Sequence, residues 1–186
     1  MLKPTQAPLP ADPITAELVF HELNPTQRAF LVTDGTVTEL LEAVFLEAIE
    51  VVKLSQRTAP LANPVASLAA GTGETGYARE VLLVGKQSRH HYVHASSIIL
   101  LDRLPGTLRI ELLETGKGIG HILRDHHIET FRQITGYWSE AAAGLADYFG
   151  LMSGELLLGR QYVVHHQGRP IMQIQERFAQ STFGVS

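Results

Sequence analysis

Leu156-Leu157-Leu158-Gly159-Arg160-Gln161-Tyr162-Val163-Val164-His165-His166-Gln167-Gly168-Arg169-Pro170-Ile171-Met172-Gln173-Ile174-Gln175-Glu176-Arg177-Phe178 is the stretch on which the fold turns. Residues 156–165 are dense in Leu, Val and Tyr, the composition of a strand. Gln167-Gly168 supplies a tight turn, and residues 171–178 return antiparallel to the strand before it. Along that return, the two-residue period of a strand puts Gln173, Gln175 and Arg177 on one face and Met172, Ile174, Glu176 and Phe178 on the other. Glu176 therefore points where its neighbours are apolar. A carboxylate there either finds a cation or strong donors, or holds a proton near neutrality, because an unpaired buried charge is too costly.

Upstream, the elements are segregated and do not alternate as βαβα. Residues 79–84 and 92–101 are rich in Val, Leu and Ile and are separated by the polar stretch 85–90, which predicts adjacent strands in a hairpin. Ile49-Glu50-Val51-Val52-Lys53-Leu54 and residues 128–137 read as further strands. Asn24-Pro25 is an N-cap followed by Pro at the first helical position, predicting a short helix through Val32 that Asp34-Gly35 ends. Thr36 or Thr38 caps a second helix, whose Leu40, Leu41, Val44 and Phe45 form one buried stripe. Pro105 opens a third, which Gly116 stops, and residues 119–124 give a fourth. Residues 58–76 read as a long connection, and residues 139–149 as an alanine-rich helix or irregular crossover. Four of the nine prolines fall in residues 1–13, which we read as a loose arm ahead of one domain spanning 14–186. The pattern is α+β: a single antiparallel sheet of about six strands with helices packed on one face.

Composition narrows the function. The chain of 186 residues has 45% hydrophobic and 18% charged residues, as a folded protein does. A net charge of -4 and pI near 6.1 leave no basic excess for a phosphate backbone, so nucleic acid is not an expected partner. The absence of cysteine excludes thiolate catalysis, disulfides and cysteine-ligated metals. No apolar run approaches the ~18 residues of a membrane span, and no signal peptide is evident, so a cytoplasmic location is expected.

Several motifs mislead. Gly71-Thr72-Gly73-Glu74-Thr75-Gly76 spells a dinucleotide fingerprint, but it lies between a loop and a strand, the wrong context for one. Gly116-Lys117-Gly118-Ile119-Gly120 opens a short helix, yet no Gly-Lys-Ser/Thr follows to make a phosphate loop. The nine histidines include His90 and His94, roughly 13 Å apart along a strand and too far for one ion, so solvent-facing or turn positions are expected for them. A Gly-x-Ser-x-Gly elbow is missing, which removes a hydrolase triad. That leaves Glu176 and Arg79, the latter on a strand face with Tyr77, Val81 and Leu83. Two readings stand: a buried Arg79–Glu176 ion pair, or a pocket in which Arg79 binds an acid group and Glu176 handles a hydroxyl.

Four blocks carry a resemblance. They are Asp34-Gly35-Thr36-Val37-Thr38 with Leu41-Glu42-Ala43; Arg79-Glu80-Val81-Leu82-Leu83; Gly116-Lys117-Gly118-Ile119-Gly120 with Ile122-Leu123; and Gly168-Arg169-Pro170-Ile171-Met172 leading to Glu176. In order and spacing, over about residues 20 to 180, the chain resembles the chorismate pyruvate-lyase (4-hydroxybenzoate synthase) family. The wording is nearest its cyanobacterial and plastid branch. The resemblance implies an antiparallel sheet flanked by helices, with a ligand enclosed beneath helical flaps. It implies a cofactor-independent lyase acting on chorismate, serving quinone and, by branch, plastoquinone synthesis. By the same resemblance Arg79 binds the ring carboxylate, backbone near Ile119 and Gly120 assists, Glu176 contacts the ring hydroxyl, and Val37 lies in a flap. A bacterial branch has another arginine on the strand after that of Arg79, where this chain has Ala95; Arg132 is the substitute candidate for a second carboxylate. The alternative is a non-catalytic effector-binding domain of the same fold. Such domains follow a basic helix-turn-helix, which the roughly 20 residues before the first block do not resemble.

Overall fold

The computed structural model describes residues 16–115 and 117–183. The proposed Pro-rich arm and Gly116 of the glycine motif lie outside the described residues. Among the described residues seven strands form one sheet: β1 (Ala16–Glu17), β2 (Ile49–Pro60), β3 (Thr75–Gly85), β4 (His91–Leu100), β5 (Phe131–Ala141), β6 (Leu156–His166) and β7 (Arg169–Ala179), ordered β1-β5-β6-β7-β4-β3-β2. Every pairing is antiparallel. Five helices join them: α1 (Pro25–Val32), α2 (Val37–Phe45), α3 (Gly106–Glu114), α4 (Ile119–Asp125) and α5 (Ala146–Phe149). The α+β sheet expected from sequence is present, with the two-residue β1 added at one edge.

Local chemistry accounts for these elements. At the β6–β7 turn Gln167 and Gly168 both take positive φ, 50° and 76°, the geometry that matches the twist of a two-residue hairpin. Asn24 and Gln27 cap α1 reciprocally: the Gln27 amide donates to Asn24 Oδ1 and the Asn24 amide to Gln27 Oε1, both at 2.9 Å, with Pro25 at the first helical position. Two expectations are corrected. Residues 139–141 continue β5, because Ser139, Glu140 and Ala141 pair with Leu158, Leu157 and Leu156, so the alanine-rich segment turns helical only afterwards. Residues 58–60 continue β2, whose place at the sheet edge lets Pro60 sit without a ladder donor.

Helices α1 to α4 pack on one face of the sheet in two groups. Phe30, Leu31, Val37 and Leu41 of α1 and α2 meet Leu83, Val93, Leu158 and Phe178. Leu108, Leu112, Ile122 and Leu123 of α3 and α4 meet Ile99, Val164 and Met172. The other face is covered too, contrary to the one-faced arrangement expected. The 61–70 segment sets Leu61 and Leu68 against Ile98, Leu100 and Val163, while Ala146 and Phe149 of α5 join Leu157 and Ala179. This second layer buries His94 to 5% exposure, so the expectation that the histidines face solvent fails there.

Candidate active site

The seam between the two helix groups is where the strands place their charges. Registered pairing lines up Val81, Ala95, Glu176, Arg160 and Tyr137 in one row across the helix-covered face. The adjacent row is Arg79, Ser97, Ile174, Tyr162 and Ile134, and the next ends on Val164 and Arg132. Above these rows α2 and α4 roof a cavity with about 670 Å³ of empty space, the solvent at its opening included. Val37, Arg79, Ile119, Gly120 and Glu176 all line it, so the five residues named from sequence meet in one place.

Arg79 is 3% exposed. Its Nη2 donates to the Lys117 carbonyl at 3.0 Å, whereas its Nε is buried with no partner among the described residues. Burial lowers its pKa, with Tyr77 opposing. A buried, half-satisfied guanidinium is a costly feature whose fork matches an incoming carboxylate.

Glu176 does not pair with Arg79. Arg160 Nε donates to its Oε2 at 2.7 Å and the Tyr162 hydroxyl to its Oε1 at 2.9 Å. The direct Arg79–Glu176 ion pair is thereby replaced. Arg160 Nη1 also donates to the carbonyls of Leu31 and Thr33, at 3.2 and 2.8 Å, tying the carboxylate to the end of α1. Burial would lower the Arg160 pKa, but Glu176 beside it makes the net shift upward. Burial first, and the Glu176 charge second, push the Tyr162 hydroxyl up, so it stays a donor. Each carboxylate oxygen has two acceptor positions, which leaves Glu176 able to take a further hydrogen bond.

Arg160 and Tyr162 were missed in the sequence. The signal was available: Leu158, Arg160, Tyr162 and Val164 share a strand face, the same misplaced-charge pattern that singled out Glu176. Arg132 lines the mouth and donates from Nη1 to the Asp34 carbonyl. Two features close the roof. Arg124 of α4 pairs with Glu39 of α2, and Gly120 approaches Thr36 so closely that a Cβ would lie 2.8 Å from Thr36 Cγ2. No group of three or more His, Cys, Asp or Glu among the described residues is placed to hold a metal ion. Among those residues no helix is long and apolar enough to cross a membrane.

Comparison with known proteins adds an independent line. Residues 31–183 match the model of the family described as chorismate pyruvate-lyase Rv2949c-like. The chain is 30% identical over 168 residues to chorismate pyruvate-lyase of Mycobacterium tuberculosis, covering 88% of this chain and 84% of that one. It is 29% identical over 164 residues to chorismate pyruvate-lyase of Mycobacterium leprae, covering 88% and 78% respectively. Among solved structures, the effector domain of PhnF from Mycobacterium smegmatis superposes with a TM-score of 0.61 at 16% identity, over 80% of this chain and 90% of that one. A GntR-family transcriptional regulator from Bacillus cereus gives 0.57 at 12% identity, over 74% and 96%. These two likenesses are of fold alone.

Proposed function

The chain belongs to the Rv2949c-like chorismate pyruvate-lyase family, and from that premise we propose that it converts chorismate to 4-hydroxybenzoate and pyruvate in the cavity between α2, α4 and the sheet, supplying an aromatic precursor for quinone synthesis. Chorismate is a cyclohexadiene with a carboxylate at C1, an enolpyruvyl ether at C3 and a hydroxyl at C4. Loss of the C4 proton and cleavage of the C3–O bond leave an aromatic phenol. The departing enolpyruvate takes up a proton and becomes pyruvate. Aromatisation supplies the driving force, so the protein's part is to hold one conformer, stabilise the leaving carboxylated fragment and keep water out. No cofactor is needed for that chemistry.

In this reading Arg79 takes the ring carboxylate through its free Nε and the neighbouring Nη2, with the backbone near Ile119 and Gly120 alongside. Glu176, held by Arg160 and Tyr162, accepts from the C4 hydroxyl and orients the ring. Val37 closes the roof. The observation that carries the reading is the partnerless buried Nε of Arg79 in the same cavity as a Glu176 already satisfied by other groups. The test is to mix purified protein with chorismate and follow both products: equimolar 4-hydroxybenzoate and pyruvate support the lyase. Tight binding without turnover overturns it in favour of the effector-domain alternative, which the likeness to regulator domains keeps in view.

A further inference from the structure

Chorismate presents two carboxylates, and Arg79 answers one. Arg160 is not available for the other: it is 1% exposed, does not line the cavity, and is committed to Glu176 and two backbone carbonyls. Ala95, near the middle of the cavity floor, brings no charge. Among the described residues that line the cavity, the remaining basic side chain is Arg132. We propose, on the lyase reading above, that Arg132 receives the enolpyruvyl carboxylate and is the specificity-determining residue that separates the two-carboxylate substrate from the one-carboxylate product.

Three observations converge on this. Arg132 stands on β5 and Arg79 on β3, with β6, β7 and β4 between them, so their backbones are four strand spacings apart, about 19 Å at ~4.8 Å each. Both line the one cavity, so a ring that carries two carboxylates has a guanidinium toward either side of the floor. The hydrogen bond recorded for the Arg132 side chain goes to a neutral carbonyl, that of Asp34 at the rim, and a carboxylate is a stronger acceptor that displaces such a partner. Its charge also reaches the site, since Arg132 pulls down the Tyr162 pKa against the larger effects of burial and Glu176. The ring carboxylate is thus placed at the Arg79 end, and the ether arm runs over Tyr162 toward the mouth. Once the C3–O bond breaks, the phenol retains its hold on Arg79 and loses any claim on Arg132.

The experiment compares chorismate and 4-hydroxybenzoate on wild type, Arg132→Ala, Arg132→Lys and Arg79→Ala, by calorimetric binding and by KM with product inhibition. Arg132→Ala should weaken chorismate by roughly ten- to hundredfold, the size of a charge-assisted pair, and leave 4-hydroxybenzoate within about twofold. Arg132→Lys should restore part of the loss, and Arg79→Ala should weaken both ligands. Equal loss for both ligands in Arg132→Ala, or loss for neither, overturns the assignment while wild-type turnover still upholds the lyase. A wild type that neither binds nor converts chorismate overturns both.

Discussion

Arg160 shows how much of this site is structural support for one carboxylate. Its guanidinium meets the Glu176 carboxylate and the Leu31 and Thr33 carbonyls, and stacks over the Tyr162 ring with 5.2 Å to the centroid. Removing the cation alone strands a buried negative charge, so Arg160→Met should cost about 3–5 kcal/mol in denaturant unfolding. The double variant Arg160→Met/Glu176→Gln should recover most of that loss, because no uncompensated charge remains; a double variant as unstable as the single one would show that packing, not charge, dominates. Turnover should separate the two candidate site residues. Glu176→Ala should lower kcat at least tenfold, whereas Arg79→Ala should mainly raise KM, by roughly ten- to hundredfold for a lost charged hydrogen-bond pair, both read by steady-state kinetics. Near-normal kcat in Glu176→Ala would remove that residue from the chemistry. Strand alternation made Glu176 legible because three of its same-face neighbours are apolar. It did not disclose the partner, since pairing Arg160 with Glu176 depends on the β6–β7 register, and the misplaced Arg160 was not read with the same rule.

Among the elements, the hairpins were readable because their turn residues and apolar runs are local signals. Residues 139–141 were not, because their strand state comes from pairing with residues 156–158, and helix propensity in an alanine run yields to that non-local ladder. The same dependence on neighbours governs the roof. Gly120 is required in α4 by the approach of Thr36 from the start of α2: an added Cβ would sit 2.8 Å from Thr36 Cγ2 and 3.0 Å from its hydroxyl oxygen. Gly120→Ala should therefore push α2 and α4 apart and raise KM several-fold, with a smaller effect on thermal stability than on binding, as seen by kinetics and melting together. On the opposite face Gly159 of β6 lies beneath Trp138, where a Cβ would fall 2.2 Å from the indole. Gly159→Ala should destabilise by about 1–3 kcal/mol through overpacking between β5 and β6, in equilibrium unfolding, with the cavity face untouched. An unchanged unfolding midpoint would mean that the indole moves aside freely.

At the scale of the whole molecule the sheet separates the face that carries the cavity from the face covered by the 61–70 and 142–149 segments, and His94 ties the second to pH. Burial, and secondarily the Arg177 charge, lower its pKa to about 4. Residues 141–145, at the end of β5 and just after it, line the same pocket as His94 and Ser96 on this face. Arg177 stands opposite on β7, Glu80 lies diagonally on β3, and the Tyr148 ring stacks at 6.1 Å from α5. In the unfolded chain the imidazole takes a proton near pH 6.5, whereas the folded protein resists until about pH 4. Because the unfolded state binds the proton first, the stability that is whole above pH 6.5 is lost as the pH falls toward 4, by roughly 3 kcal/mol in full. Glu47 does not share that window: hydrogen bonds from Ser88, Tyr92 and Gln87 lower its pKa to about 2, so its contribution disappears only below the ordinary carboxylate range. Urea unfolding at intervals from pH 7.5 to 4.5 should therefore show a falling midpoint in wild type and a flatter one in His94→Gln, whose side chain does not titrate. An acid-side slope as steep in His94→Gln as in wild type would assign the loss to other groups and leave the buried imidazole without a part in it.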